Sequence, residues 1–369
     1  MHKWLDLSML VAGATLFAWL GMCSRKSARL SHRMTGAALS GFATAALSAV
    51  ALLVIIGLIR TRTRYAPVSD FKVGITLERV QRGQEIADSF CSGCHSITAA
   101  LTGGRDLGQD LSLNVGSFVA SNLTPAGPLR RWTDGQIFRA IRNAVDADGR
   151  WLVMMSYTNA SHLSDSDIEA VIAYLRSRRA QGASTADLPD DFNLRGLVLL
   201  GAHMLPTGAP VVRGAIVAPP KGPNASYGAY ILSYQDCRAC HGPALTGGVP
   251  GQLGPIAPDL ELVKAWSPEQ FAATMRTGVD PGGHHISSLM PWQAIGRMDD
   301  VELRAVYEYL NRLPERNEPL QASAHPASLP ARPAFDLSAA PFTRRPVPGR
   351  DGRTPAREAG GSAPAGSGR

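Results

Sequence analysis

Cys91-Ser92-Gly93-Cys94-His95 and Cys237-Arg238-Ala239-Cys240-His241 are the two stretches from which the rest of the sequence is read. They share one pattern, and the residues that follow repeat as well. Trp132-Thr133 corresponds to Trp266-Ser267, and the run from Arg139 to Asp146 to the run from Ala273 to Asp280. Met155 falls 23 residues after its Trp and Met290 falls 24 after its own. The chain therefore contains one unit twice.

The elements of that unit are legible in each copy. A helix enters each pentad, from Arg82-Gly83 to Phe90 and from Tyr227-Gly228 to Tyr234, with a small glycine that lets another helix approach closely. Each copy closes with a helix whose start is marked by an N-cap: Ser164 with Asp167 three residues on, and Asp299 with Glu302. Ile168, Val171, Ile172 and Leu175, and likewise Leu303, Val306, Tyr307 and Leu310, follow at helical spacing and make a core-facing stripe. The first helix of each unit is expected to cross the last.

A C-x-x-C-H pentad on a helical turn places two thiols where they can join the two vinyl groups of one haem, with the adjacent imidazole under the iron. Cys91 and Cys94 would hold one haem c and Cys237 and Cys240 a second, with His95 and His241 as proximal ligands. Bare C-x-x-C also serves zinc sites and thiol-disulfide pairs, but neither needs a His after each pair within a helical repeat. For the sixth iron position the matched Met155 and Met290, each just before the last helix, fit best. Methionine opposite histidine raises the potential of the iron. Met154 is the nearest rival to Met155, and His162, His284 and His285 are alternative ligands; His284 and His285 follow a glycine pair and are expected in a solvated loop.

Before the repeats, Met34 to Ile59 run for 26 positions without a charge, enough for a transmembrane helix. Leu5 to Met22 is a second span or a signal-like segment. The intervening Arg25, Lys26, Arg29 and Arg33 favour a cytoplasmic loop, whereas Arg60, Arg62 and Arg64 oppose that orientation. Cys23 reads as a free thiol at a helix end. The net charge of +7 sits outside the repeats: residues 1–64 hold eight Lys/Arg and one acid, while 65–313 hold 21 against 24. That distribution excludes a nucleic-acid partner.

The pentads, Asn122-Leu123-Thr124-Pro125, Arg131-Trp132-Thr133-Asp134 and the Met-x-aromatic loops resemble the class I cytochrome c family. The likeness is greatest to the multihaem cytochrome subunits that accompany periplasmic alcohol, aldehyde and gluconate dehydrogenases, and it covers about residues 78–180 and 227–313. It implies an all-α fold, two tandem cytochrome c domains after an N-terminal transmembrane anchor, His and Met ligation, and electron transfer with no catalytic residues. The class also implies haem attachment outside the cytoplasm, which places both units on the periplasmic side of the inner membrane. The chain departs from the three-haem dehydrogenase subunits in its two pentads and its anchor.

The expected division is an anchor over 1–64, the first cytochrome domain over 65–185, a linker over 186–226, the second over 227–313, and a disordered tail over 314–369. The apolar run Leu197 to Leu205 in the linker is too short to span and is expected between the two haem domains. The tail carries ten Pro and only six Leu, Ile, Val or Phe in 56 residues, too few for a core. The partners expected are membrane lipid and redox proteins: a dehydrogenase, a quinol-oxidising complex or a terminal oxidase. The alternative is a dihaem redox enzyme, peroxidase-like or thiosulfate-oxidising, with one open iron.

Overall fold

The computed structural model describes residues 2–62, 64–96, 98–111, 113–183, 190–205, 207–250 and 255–313. The tail, Pro206 and part of the linker lie outside the described residues. The order of helices is α1 (His2–Ser24), α2 (Leu30–Arg60), α3 (Leu77–Ile86), α4 (Ser92–His95), α5 (Asp134–Asn143), α6 (Val153–Tyr157), α7 (Asp165–Ser177), α8 (Leu194–Gly201), α9 (Ala225–Tyr234), α10 (Cys237–His241), α11 (Pro268–Thr277), α12 (Trp292–Ile295) and α13 (Asp300–Leu310). The short strands β1 (Gly116–Ser117) and β2 (Asp191–Phe192) pair antiparallel, with Gly116 opposite Phe192.

Each repeat is built by the same crossing. In the first, α3 lies on α7; in the second, α9 lies on α13. A Cβ on Gly83 would come within 1.9 Å of the Ala170 carbonyl oxygen, and one on Gly228 within 2.0 Å of that of Ala305. Only a hydrogen atom fits at either point, so the backbones touch. The caps are as the sequence predicts: Ser164 accepts from Asp167 N, and Asp299 forms a reciprocal capping box with Glu302.

The two repeats share one core. Ile86, Leu101, Ile168 and Ile172 from the first and Tyr227, Ile231, Leu303 and Leu310 from the second belong to a single buried cluster. Arg82 of α3 fastens the halves: it meets Asp167 of its own repeat at 2.8 Å and Glu302 of the other at 2.5 Å. Tyr230 of α9 crosses the other way, donating to Asp167 at 2.5 Å and accepting from Ser164 N. Lys221 joins Glu85 and Asp299 across the same seam.

A second cluster differs from what the sequence predicts. The apolar run of the linker forms α8, and it does not lie between the haem domains; it packs on the last two turns of α2. Leu197 and Leu200 of α8, Val54 of α2, and Val115, Phe118, Trp151, Val153 and Phe192 of the first repeat are buried together, with Leu7 and Leu10 of α1 against them. A Cβ on Gly201 would lie 2.0 Å from the Leu53 carbonyl oxygen, and one on Gly57 2.2 Å from that of Leu197. Each large apolar side chain buried here contributes about 1.5–3 kcal/mol. At 1.5 Å per residue α2 is about 46 Å long against a hydrocarbon core of about 30 Å. Its surplus turns are the ones built into this joint.

Arg60 and Arg64 are also part of the joint. Arg60 donates to the Leu200 carbonyl at the C-terminus of α8, and Arg64 donates to Asn143 O at the end of α5 at 2.6 Å. Both place a cation on a carbonyl at a helix end, where positive charge is favoured.

Two candidate haem centres

The helices that lead into the pentads arrive differently. In the first repeat α3 runs without interruption through a π-helical turn, Ala87–Cys91, into α4. In the second, α9 stops at Tyr234, Gln235 is extended, and α10 starts afresh at Cys237. The two approaches end with the same presentation of the histidine. His95 Nδ1 donates to the Ser121 carbonyl at 2.8 Å and His241 Nδ1 to that of Pro258 at 2.7 Å. A ring fixed through Nδ1 leaves the Nε2 lone pair for a metal. Burial lowers the basicity of His95, which keeps its ring neutral as a ligand requires.

Matched backbone bonds hold those carbonyls in place. Gly103 N donates to His95 O and Gly247 N to His241 O; Leu123 N donates to Leu101 O and Leu260 N to Leu245 O. Leu101 and Leu245 both sit in the left-handed region, at φ 57° and 63°, and both are fully buried. That conformation is costly for leucine and persists only where surroundings impose it. The sequence singles out neither residue, because nothing in a leucine's identity signals a positive φ.

Asn122 and Thr124 of the Asn-Leu-Thr-Pro element have a structural use. The Asn122 amide donates to Gln181 O and Ala183 O, Thr124 Oγ1 donates to Gln181 O, and Thr124 N donates back to Asn122 Oδ1. The element ties the loop beside His95 to the chain leaving α7.

The donor set fits haem c and fits zinc or a redox dithiol poorly. Burial pushes the Cys91 and Cys237 thiols up to about 12, the reverse of the thiolate stabilisation that metal ligation or disulfide exchange needs. A neutral thioether is at home there. In the first repeat an apolar cavity of about 170 Å³ is lined by Leu123, Pro125, Ile137 and Leu175 together with Arg130 and Arg176. Its apolar walls suit the edge of a porphyrin ring, with Arg130 as the cation beside them, while Arg176 is committed to Asp134 and to the Leu129 and Trp132 carbonyls. Tyr234 Oη and Gln235 Nε2, just before the second pentad, are buried donors without a partner among the described residues, as expected where a polar group from outside the polypeptide is to be received.

The Met side is built on a repeated hairpin. Ala144 and Gly278 end α5 and α11 in the left-handed region; Leu152 N then donates to Ala144 O as Ile286 N does to Gly278 O. Met155 follows on α6 and faces a narrow cleft with Ile141, Arg142, Asn143 and Ser156. Met154 points elsewhere, into the joint with α2 and α8. Met290 packs against the shared core, and its neighbour Trp292 is half-buried, with its indole laid over Gly278. His284 and His285 are exposed, as expected of a solvated hairpin, whereas His162 is partly buried in the turn after α6.

Each Met-side segment touches the pentad segment of the other repeat. Asn159, four residues after Met155, donates through N and Nδ2 to Asp236, which immediately precedes Cys237. Arg297, seven after Met290, donates to Ser92 Oγ beside Cys91 at 2.9 Å. Phe90 and Tyr234 meet edge to face between them, with ring centroids 5.9 Å apart. The arrangement is a pseudo-twofold exchange of contacts.

Residues 80–179 match the family model described as Cytochrome c, and residues 223–310 the one described as Cytochrome C oxidase, cbb3-type, subunit III. Both repeats are cytochrome c domains. The chain thus carries two c-type cytochrome domains, which indicate a haem c in each, and both cysteine pairs fit its covalent attachment. The cytochrome is 26% identical to a nicotinate dehydrogenase subunit of Pseudomonas putida over 296 residues, which take in 72% of this chain and 24% of that protein. It is 25% identical to the gluconate 2-dehydrogenase cytochrome c subunit of Pantoea cypripedii over 199 residues, 51% of this chain and 43% of that one. The cytochrome therefore spans less than half the length of either relative. Its α1 and α2 are long and apolar enough to cross a membrane.

Proposed function

We propose that this cytochrome is a relay mounted on the periplasmic face of the inner membrane, passing electrons between its two haems and onward to fixed or diffusing redox proteins, with no substrate chemistry of its own. His95 and Met155 would ligate one iron and His241 and Met290 the other. When bound, each haem supplies a one-electron iron couple. The chain's part is to hold the rings by their Nδ1 bonds, keep water from the sites, and fix the two sites against each other through Arg82, Asp236 and Arg297.

The observation that carries this reading is the exchange of contacts between each Met-side segment and the other repeat's pentad. Two centres locked in that way suit electron exchange within the chain, and a pair of matched Met residues gives neither iron the open position that the enzyme alternative needs. The separation of Met154 from the Met155 cleft supports Met155 as the ligand. The periplasmic side is supported by the chemistry of haem attachment and by the basic loop between α1 and α2. The division at 65–185 and 227–313 would mark the two haem units, with α8 belonging to the first unit and the anchor.

A dehydrogenase is the electron donor this reading favours, because both relatives are named as dehydrogenase subunits; an oxidase or a quinol-oxidising complex would stand at the other end. The test is spectroscopy of the purified holoprotein. Two haems per chain, a Met-to-ferric-iron charge-transfer band and no carbon monoxide binding to the reduced form are expected. Rapid carbon monoxide binding at one haem would overturn the relay in favour of the enzyme.

A further inference from the structure

Residues 207–216, which lead away from α8, cross the Met155 face of the first domain and bond to it at three places. Ala209 N donates to Ser156 O at 2.8 Å. Val212 N donates to Asn143 Oδ1 at 2.7 Å and Asn143 Nδ2 returns a bond to Val212 O. Asp165 N donates to Ile216 O at 2.9 Å, and Ile216 N to Asp165 Oδ1. Gly208, at φ +76°, is pressed so closely on Ser156 that a Cβ would stand 2.2 Å from its Oγ. Arg64 fixes the start of the crossing, donating to both Asn143 O and Thr207 O.

Among the described residues, the second domain has the same positions without the cover. Arg142 and Arg276 are equivalent, as are their partners Asp165 and Asp300. Arg142 is 3% exposed and also donates to Ser161 O and Leu163 O, whereas Arg276 is 45% exposed. Thr277, in the place of Asn143, is exposed and its hydroxyl turns back to Ala273 O of its own helix. Leu289, beside Met290, is 71% exposed.

We propose that the 207–216 segment is a strap that holds the Met155 side of the first haem site shut, with Gly208 and Arg64 as positioning residues, so that the two sites differ in how readily the methionine gives way. The inference rests on the reading that Met155 and Met290 are sixth ligands. In the open domain the Met290 thioether gives up its bond to ferric iron and an added imidazole nitrogen takes the place, with no electron transferred; in the strapped domain the exchange waits for the strap to open.

The experiment mixes ferric holoprotein with imidazole and follows loss of the Met charge-transfer band. Two phases of similar amplitude are expected, about tenfold or more apart, the ratio that one net hydrogen bond of opening cost supplies. Met290→Ala should remove the fast phase and half of the band, while Gly208→Val should accelerate the slow phase and leave the fast one unchanged. If Gly208→Val does not fold, Arg64→Gln serves the same purpose. A single phase, loss of the slow phase in Met290→Ala, or a slow phase indifferent to the strap variant that folds overturns the strap. A band absent before any imidazole is added is a different failure: it removes the ligand reading and the strap proposal with it.

Discussion

The first and second cytochrome domains present the same surface to different surroundings. His95 and its Ser121 acceptor are 26 residues apart, whereas His241 and Pro258 are 17 apart. The longer connection in the first domain contains β1, Val115 and Phe118, the residues that meet α2, α8 and β2 in the joint. Trp151, 5% exposed, fills that joint; its counterpart His285 faces solvent. One repeat serves as a mount, and among the described residues the Met side of the other is open. An internal duplication can thus divide attachment and access between its copies without altering how either holds its histidine.

The seam at Arg82 is where the contrast is most easily broken. Arg82→Met strands the buried Glu302 and Asp167 and should cost about 3–5 kcal/mol, the usual result of removing one partner of a buried pair. Because Arg82 serves both repeats, chemical unfolding should show both domains destabilised together; a loss confined to the first domain would mean that they are stable independently.

Gly201→Ala acts on the mount alone. Its Cβ has no room against Leu53 O, so about 1–3 kcal/mol of overpacking is expected at the joint. Limited proteolysis should then cut near 190–205, while the unfolding midpoint of the second domain stays where it was. Equal damage to both domains would show that the joint supports the whole molecule.

Asp299 gives the smallest effect. Burial opposes its charge, but the Lys221 ammonium and the Glu302 backbone N–H hold its carboxyl below the usual carboxylate range. A carboxyl depressed in the folded state contributes stability that is present above its unfolded pKa and lost as pH falls through the folded one. Asp299→Asn should therefore flatten the acid limb of the stability curve by no more than about 1 kcal/mol, since the group is partly solvated. Acid unfolding followed at the haem absorption of each domain checks this, and an unchanged acid limb would show that the seam does not titrate through Asp299.

Much of this architecture is legible in the sequence. The pentads, the cap residues Ser164 and Asp299, and the pair Gly83 and Gly228 are local signals, and local signals survive in one dimension. The joint is not legible, because the run from Leu197 to Leu200 carries its apolarity openly but not its address. A linker between two haem domains and a clasp on α2 need the same residues. The charge of Arg60 and Arg64 reads as a topology signal; in the fold both are bonded to helix ends far along the chain. The left-handed leucines, Leu101 and Leu245, are hidden for a plainer reason, since each is imposed by its surroundings.

The bonds of Arg60 and Arg64 also put events in order during synthesis. Their acceptors, Leu200 O and Asn143 O, lie 140 and 79 residues downstream. At roughly 5–20 residues per second the more distant one is not made until roughly 7–28 s after Arg60. If α1 and α2 form a membrane hairpin, as the proposed anchor requires, the hairpin takes its orientation while both guanidinium groups are still uncommitted. Once the first domain closes on them, reversing such a hairpin would mean unfolding that domain, so folding would act as a ratchet on the proposed topology.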